Sequence, residues 1–211
     1  MKDIFIVLIR PYTGLGSIAR RFTNYEYTHI AVSLDKSLSE FVSYSRRYHS
    51  FPFYAGFAYE YRDYYAFGRH KSVKVKVFRL RVSDENYCAV TDFISRCEND
   101  DDEIFNLFSM ATMPILHGFR LYKANNCMSF TAKVIELSGK AAMKKPYYRY
   151  SIADMDDLLS EYLYFEGKLR RTPSKDYEKY MRPFSPLKYL SDMVKLLSKL
   201  SFRAVFMKNK I

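Results

Sequence analysis

Cys127 and His29 are the two residues of this 211-residue chain whose types and settings could do nucleophilic chemistry together. Cys127 follows Asn125-Asn126 and opens a predicted helix, Cys127–Leu137, closed by Gly139. A thiol placed there feels the positive end of the helix dipole, which favours the nucleophilic thiolate. The first-turn N–H groups, which have no partner inside the helix, can act as oxyanion donors. The ordinary alternative for a free cysteine is a small buried apolar side chain. Cys88 and Cys97, inside and at the end of another predicted helix, are read that way.

A thiol nucleophile needs a base. Of the four histidines, His29 begins an apolar strand, Thr28–Leu34, just after Tyr25 and Tyr27, a rigid scaffold from which an imidazole can be aimed. His49 and His70 lie in loop-like segments rich in Arg and Lys, where exposure to water is expected, while His117 precedes Gly118 in a loop that could approach Cys127. No spacing among them suits a metal, and the chemistry calls for no cofactor. Three cysteines are too few for a disulfide framework and point to a reducing compartment.

The elements that must position this pair follow from periodicity. Ile4–Ile9 is a short β-branched run stopped by Pro11 and Gly14, which predicts a buried strand, and Ser17–Phe22 reads as a short helix. The Asp35-Lys36-Ser37 turn sends the chain back as a third strand, Leu38–Tyr44. Tyr48–Phe67, with Pro52 and Gly56, reads as a long loop packed by its own aromatic side chains. Val73–Val82 alternates apolar and basic residues and is the clearest strand. Ser83-Asp84-Glu85 then caps a helix to about Cys97. Phe105–Met113 ends at Pro114, a helix covers Ile152–Leu159, and Pro183 and Pro186 precede an amphipathic helix, Leu187–Leu200. Strands early and helices late predict an α+β fold.

Composition bounds the rest. With 48% apolar and 18% aromatic residues the chain can offset the entropy cost of folding. The net charge of +11 is unevenly spread: residues 168–211 hold twelve Lys and Arg against three Asp and Glu, whereas residues 1–167 hold 22 against 20. A nearly neutral body carrying a basic tail argues against a nucleic-acid-binding core. Ile4–Ile9 is shorter than a signal-peptide core, and no run approaches the roughly 18–20 apolar residues that span a bilayer, so a cytoplasmic protein is expected. The stripe Leu187, Leu190, Met193, Val194, Leu197 and Leu200, with Lys188, Lys195 and Lys199 on other faces, would either pack on the domain or lie on an anionic membrane.

The order of a strand Thr28-His29-Ile30-Ala31-Val32 followed, 98 positions after the histidine, by Asn126-Cys127-x-Ser129-Phe130-x-Ala132-x-Val134 resembles the circularly permuted papain-like thiol hydrolases of the NlpC superfamily, including YiiX-like proteins. Ser43-Tyr44-Ser45-Arg46-Arg47, Pro52-x-x-Ala55-Gly56-Phe57 and Tyr164-Phe165-Glu166-Gly167-Lys168-Leu169 extend the similarity to uncharacterised bacterial members. The resemblance implies a hydrolase domain over residues 1–170, in which an antiparallel sheet packs against the nucleophile-bearing helix, followed by a basic extension over 171–211. It implies that Cys127 is the nucleophile and His29 the base, with a polar third residue on the next strand. Glu40 and Ser43 are the candidates, and a return about a turn near Lys36 would set residue 43 opposite residue 29. Tyr12 and Asn126 fall where members line the cleft, and Met128 stands where the family usually carries Ser. The implied activity is cysteine peptidase or amidase chemistry on a small peptide, amide or acyl-lipid substrate, by hydrolysis or acyl transfer. The alternative is an inactive papain-like binding module held to an anionic surface by its basic helix.

Overall fold

The computed structural model describes residues 1–183 and 185–207, with the side chains at positions 15 and 52 left aside. The chain is α+β. Its elements are β1 (Lys2–Arg10), α1 (Gly14–Thr23), β2 (His29–Ser33), β3 (Glu40–Tyr48), β4 (Phe51–Tyr61), α2 (Arg62–Tyr65), β5 (Ser72–Val82), α3 (Asp84–Asn99), β6 (Ile104–Phe105) and α4 (Leu107–Leu116). There follow β7 (Ala124–Asn125), α5 (Cys127–Ser138), α6 (Ile152–Leu158), β8 (Leu163–Arg170), α7 (Tyr177–Met181) and α8 (Pro186–Phe206). Six strands make one antiparallel sheet in the order β4-β3-β2-β1-β5-β8, while β6 and β7 form a separate two-residue parallel pair.

The expected loop over Tyr48–Phe67 is largely strand. β3 and β4 are joined at His49-Ser50 into a long hairpin that pairs Glu40 with Tyr61 and Ser45 with Gly56. Pro52 is compatible because β4 is the edge strand, where a missing N–H leaves no ladder bond unmade. Gly56 leaves room for the Arg47 guanidinium, since a Cβ there would stand 3.3 Å from Arg47 Nη2. Elsewhere the elements extend past the sequence expectation: α4 runs on through Pro114 to Leu116, and α8 continues to Phe206.

Strand alternation divides the core in two. Ile4, Ile6 and Leu8 of β1, Ile30 and Val32 of β2 and Phe78, Leu80 and Val82 of β5 face a layer of helices. Into that layer α3 contributes Val90, Phe93 and Ile94, α5 contributes Met128, Phe130, Val134 and Ile135, and α6 contributes Ile152 and Met155. The opposite face carries Phe5, Val7, Ile9, Ala31, Phe41, Val73, Val75 and Val77, closed by Leu38, Tyr65 and Ala66. β5 therefore changes its apolar phase at Val77-Phe78, being covered on one face at its start and on the other at its end. At the sheet margin Asp156 of α6 meets Lys76 of β5 at 2.6 Å and accepts a hydrogen bond from the Tyr25 hydroxyl.

Phe130 is the centre of the helix-facing cluster, fully buried and in ring contact with Tyr44, Phe57 and Phe93. Phe130→Ala is expected to cost about 3–5 kcal/mol in urea unfolding, while Phe22→Ala on α1, where the ring is 79% exposed, should stay within about 0.5 kcal/mol of wild type.

Candidate active site

Cys127 is the first residue of α5 because Asn126 stops the preceding backbone in an extended conformation and caps the helix. The Asn126 Oδ1 accepts from the Ser129 N–H at 2.9 Å, and the Ser129 Oγ accepts from the Asn126 N–H at 3.0 Å, so the box is closed in both directions. Ser129 is thus explained by capping, and the N–H groups of Cys127 and Met128 are left with no acceptor within the helix. The cap is itself tethered. The Ser129 hydroxyl donates to Asn125 Oδ1, the Asn125 amide donates to Glu103 Oε2, and the Tyr44 hydroxyl of β3 donates to the same oxygen at 3.0 Å. Burial is the largest influence on the Glu103 carboxyl and pushes its pKa up, against those two donors. This chain of polar contacts fixes the helix start against the sheet.

The His29 imidazole lies close enough to Cys127 for the thiol to influence its pKa, and its Nε2 is 2.8 Å from Glu60 Oε2. Glu60 is buried and His29 is partly buried, with side-chain exposures of 7% and 13%. Burial alone would lower the imidazole pKa, but the Glu60 charge, the hydrogen bonds to Cys127 and Glu60 and the Cys127 charge outweigh it and raise it to about 10. For Glu60, burial works upward and is overcome by the His29 charge and hydrogen bond, with help from the Ser45 and Tyr65 hydroxyls, so its pKa is lowered. The geometry therefore favours an imidazolium held between a carboxylate and a thiol.

The carboxylate beside His29 is Glu60, and neither Glu40 nor Ser43 stands there. Asp35 accepts from the Ser37 and Ser39 N–H groups, with Leu38 in the left-handed region, and this turn pairs Val32 with Val42. That register is two residues beyond a return about Lys36, and its extension sets Ser45, not Ser43, across from His29. Ser43 is fully buried and donates instead to the Ile30 carbonyl at 2.9 Å, bridging β2 and β3. Glu40 is exposed at the far end of β3 and accepts from the Tyr61 hydroxyl at 3.2 Å. Glu60 lies within Tyr48–Phe67, the segment whose sequence reads as a loop. A carboxylate between Tyr59 and Tyr61, at the end of a run long enough to pair with β3, was the available signal.

Tyr12 stacks on His70, with ring centroids 3.6 Å apart, and its N–H donates to the Tyr65 carbonyl at 3.2 Å. Its observed place is thus beside the residue that backs Glu60. Asn126 is the helix cap, 1% exposed, with its side-chain Nδ2 unpartnered. Of the other histidines, His49 packs edge-on to Phe67 and Tyr180, and His117 is the left-handed C-cap of α4. Cys97 is buried next to Tyr44 and Cys88 is exposed. Residues beyond 170 also support this region: the Ser174 N–H and hydroxyl donate to the fully buried Asp63, and Tyr180 stacks on Tyr64 at 3.8 Å. Among the described residues no group of three or more His, Cys, Asp or Glu side chains is placed to hold a metal ion. No family model, curated protein or solved structure matches the chain.

The two pKa displacements have opposite signs and fix the pH range in which the pair stabilises the fold. His29, raised from an ordinary 6.5, contributes fully below that value, and its contribution is lost as pH rises toward about 10; Glu60, lowered from 4.5, contributes fully above that value and loses its share in acid. The difference in unfolding free energy between wild type and Glu60→Gln should therefore be greatest at about pH 4.5–6.5 and shrink toward both ends. In imidazole NMR titrations His29 should stay protonated through neutrality in the wild type and release its proton at markedly lower pH in Glu60→Gln. Identical His29 titrations in both proteins would show that Glu60 does not hold the charge.

Proposed function

We propose that the chain is a cysteine hydrolase of permuted papain-like design that cleaves an amide or ester bond, with Cys127 as nucleophile, His29 as proton carrier and Glu60 as the acid that positions it. The single observation that carries this reading is the contiguous Cys127–His29–Glu60 arrangement at the start of a capped helix. The order of a histidine strand before the cysteine helix also supports it. In this reaction the thiolate attacks the carbonyl carbon, and the oxyanion so formed is met by the Cys127 and Met128 N–H groups. The imidazolium gives its proton to the leaving amine or alcohol, leaving a thioester on Cys127. Water then attacks the thioester as His29 takes a proton from it, and the carboxylic acid departs with the thiol restored. Glu60 carries no proton in the cycle. It keeps the imidazole charged and aimed.

Accessibility makes the test sharp. Cys88 is exposed, whereas Cys127 is only 7% exposed. Without activation, iodoacetamide should therefore modify Cys88 first. On the proposed mechanism, peptide mapping by mass spectrometry at neutral pH should find Cys127 alkylated at least tenfold faster than Cys88, in line with the reactivity of thiols paired with an imidazolium. His29→Ala should abolish that advantage, and Glu60→Gln should reduce it while leaving Cys88 unaffected. Labelling in order of exposure, with Cys88 ahead of Cys127, would overturn the hydrolase reading and leave the inactive binding module in its place.

A further inference from the structure

α8 has two apolar faces, and only one of them is used by the fold. On the inner face Leu196 and Leu200 pack with Ile104, Leu121 and Ala124, and Tyr189 meets Phe51 of β4 with ring centroids 4.4 Å apart. The buried Arg203 donates to the carbonyls of Asp102, Tyr122 and Lys123 at 2.6–2.9 Å. These contacts fix the roll of the helix, so it cannot turn to hide its other side. On the outer side Leu187 is 81% exposed, Leu190 and Val194 53% each, and Val205 64%. At 100° per residue these four fall within a sector about 60° wide. Phe202 and Phe206, mutually in contact at 5.1 Å, widen that sector toward the C-terminal end.

Charge decides what the outer face can meet. Lys188, Lys195 and Lys199 are exposed along one border of the apolar sector, and the helix's single acid, Asp192, sits half-buried toward the packed side. Two copies of the chain docked through this face would set lysines against lysines. A nucleic acid would match the lysines but not the aliphatic Leu187, Leu190 and Val194. An anionic bilayer matches both, since apolar side chains enter the acyl boundary while the lysines reach up to the headgroups. No helix of the described residues is long and apolar enough to cross a membrane, so this one would lie along its surface. We infer that the outer face of α8 docks the protein on anionic lipid bilayers, with Leu187, Leu190, Val194 and Val205 inserted and Lys195 and Lys199 held at the headgroups. The basic excess of residues 168–211 acts in the same direction, though Lys208 and Lys210 lie outside the described residues.

Flotation of the full chain with vesicles tests this. It should float with phosphatidylcholine–phosphatidylserine vesicles, much less with phosphatidylcholine alone, and progressively less as salt is raised. Leu190→Glu/Val194→Glu, at exposed positions that leave the packed face intact, should abolish flotation. Lys195→Gln/Lys199→Gln should weaken partition roughly 30-fold, as expected for two lysines near an anionic surface. Circular dichroism and the Cys127 labelling rate report whether each variant is folded. Absence of flotation with the anionic vesicles, or flotation unchanged by both variants, would overturn the inference. So would a dimer, measured by light scattering, that Leu190→Glu/Val194→Glu dissolves, or RNA retardation that Lys195→Gln/Lys199→Gln removes without any lipid binding.

Discussion

A charged pair in an otherwise apolar setting is the constraint around which this molecule is arranged. His29 and Glu60 come from strands that are not neighbours, β2 and β4, and meet at 2.8 Å with little exposure to water. Removing one partner of such a pair typically costs about 3–5 kcal/mol, because the remaining charge is left desolvated and unmatched. The surrounding elements supply what the two charges need. Ser45 and Tyr65 help hold the carboxylate's pKa down, and Tyr65 is set by α2 and by the Tyr12 N–H on its carbonyl. Asp63, two residues before Tyr65 on the same helix, is bound in turn by Ser174. The stretch after β8 is therefore bonded to the same short helix that supports the pair.

Cys127 is placed by a second device. A helix start is defined by which residue leaves the extended conformation, and the Asn126–Ser129 box defines it within one residue. Shifting that start would rotate Cys127 by about 100° away from His29. Tying Asn125 to Glu103 and Tyr44 secures the helix start to β3, which lies between the strands bearing His29 and Glu60. The thiol and the imidazole are therefore held by two separate polar networks whose common member is β3. This explains the cost the fold accepts in burying Tyr44, Asn126 and Ser129, and in half-burying Glu103, where apolar side chains would pack with less difficulty.

The placement of Cys127 at a helix start and of His29 at a strand start was legible because the signals are local: a cap followed by a helical pattern, and a histidine opening an apolar strand. The α+β class and strand β5 were legible for the same reason, as period-2 alternation survives in Val73–Val82 even though its covered face changes midway. What could not be read was pairing. Glu60 reaches His29 only after the β3–β4 hairpin has formed, and that hairpin hides in a segment aromatic on both faces, where alternation gives no contrast. The β2–β3 register depended on Asp35 accepting from both Ser37 and Ser39, a turn detail that moves every later residue of β3 relative to His29.

The same reasoning separates the two kinds of positive charge in the chain. Lys74, Lys76, Lys123 and Arg203 have their partners within the fold, in Glu26, Asp156, Asp100 and the carbonyls under α8, so each is part of how the domain holds together. Lys195 and Lys199 stand on a helix already anchored by its other side, next to aliphatic side chains that a water-facing surface has no reason to carry. Net charge alone does not distinguish these roles. A helix immobilised by Arg203 and Leu200 on one side, and apolar with a basic border on the other, is built to present that border to something outside the chain.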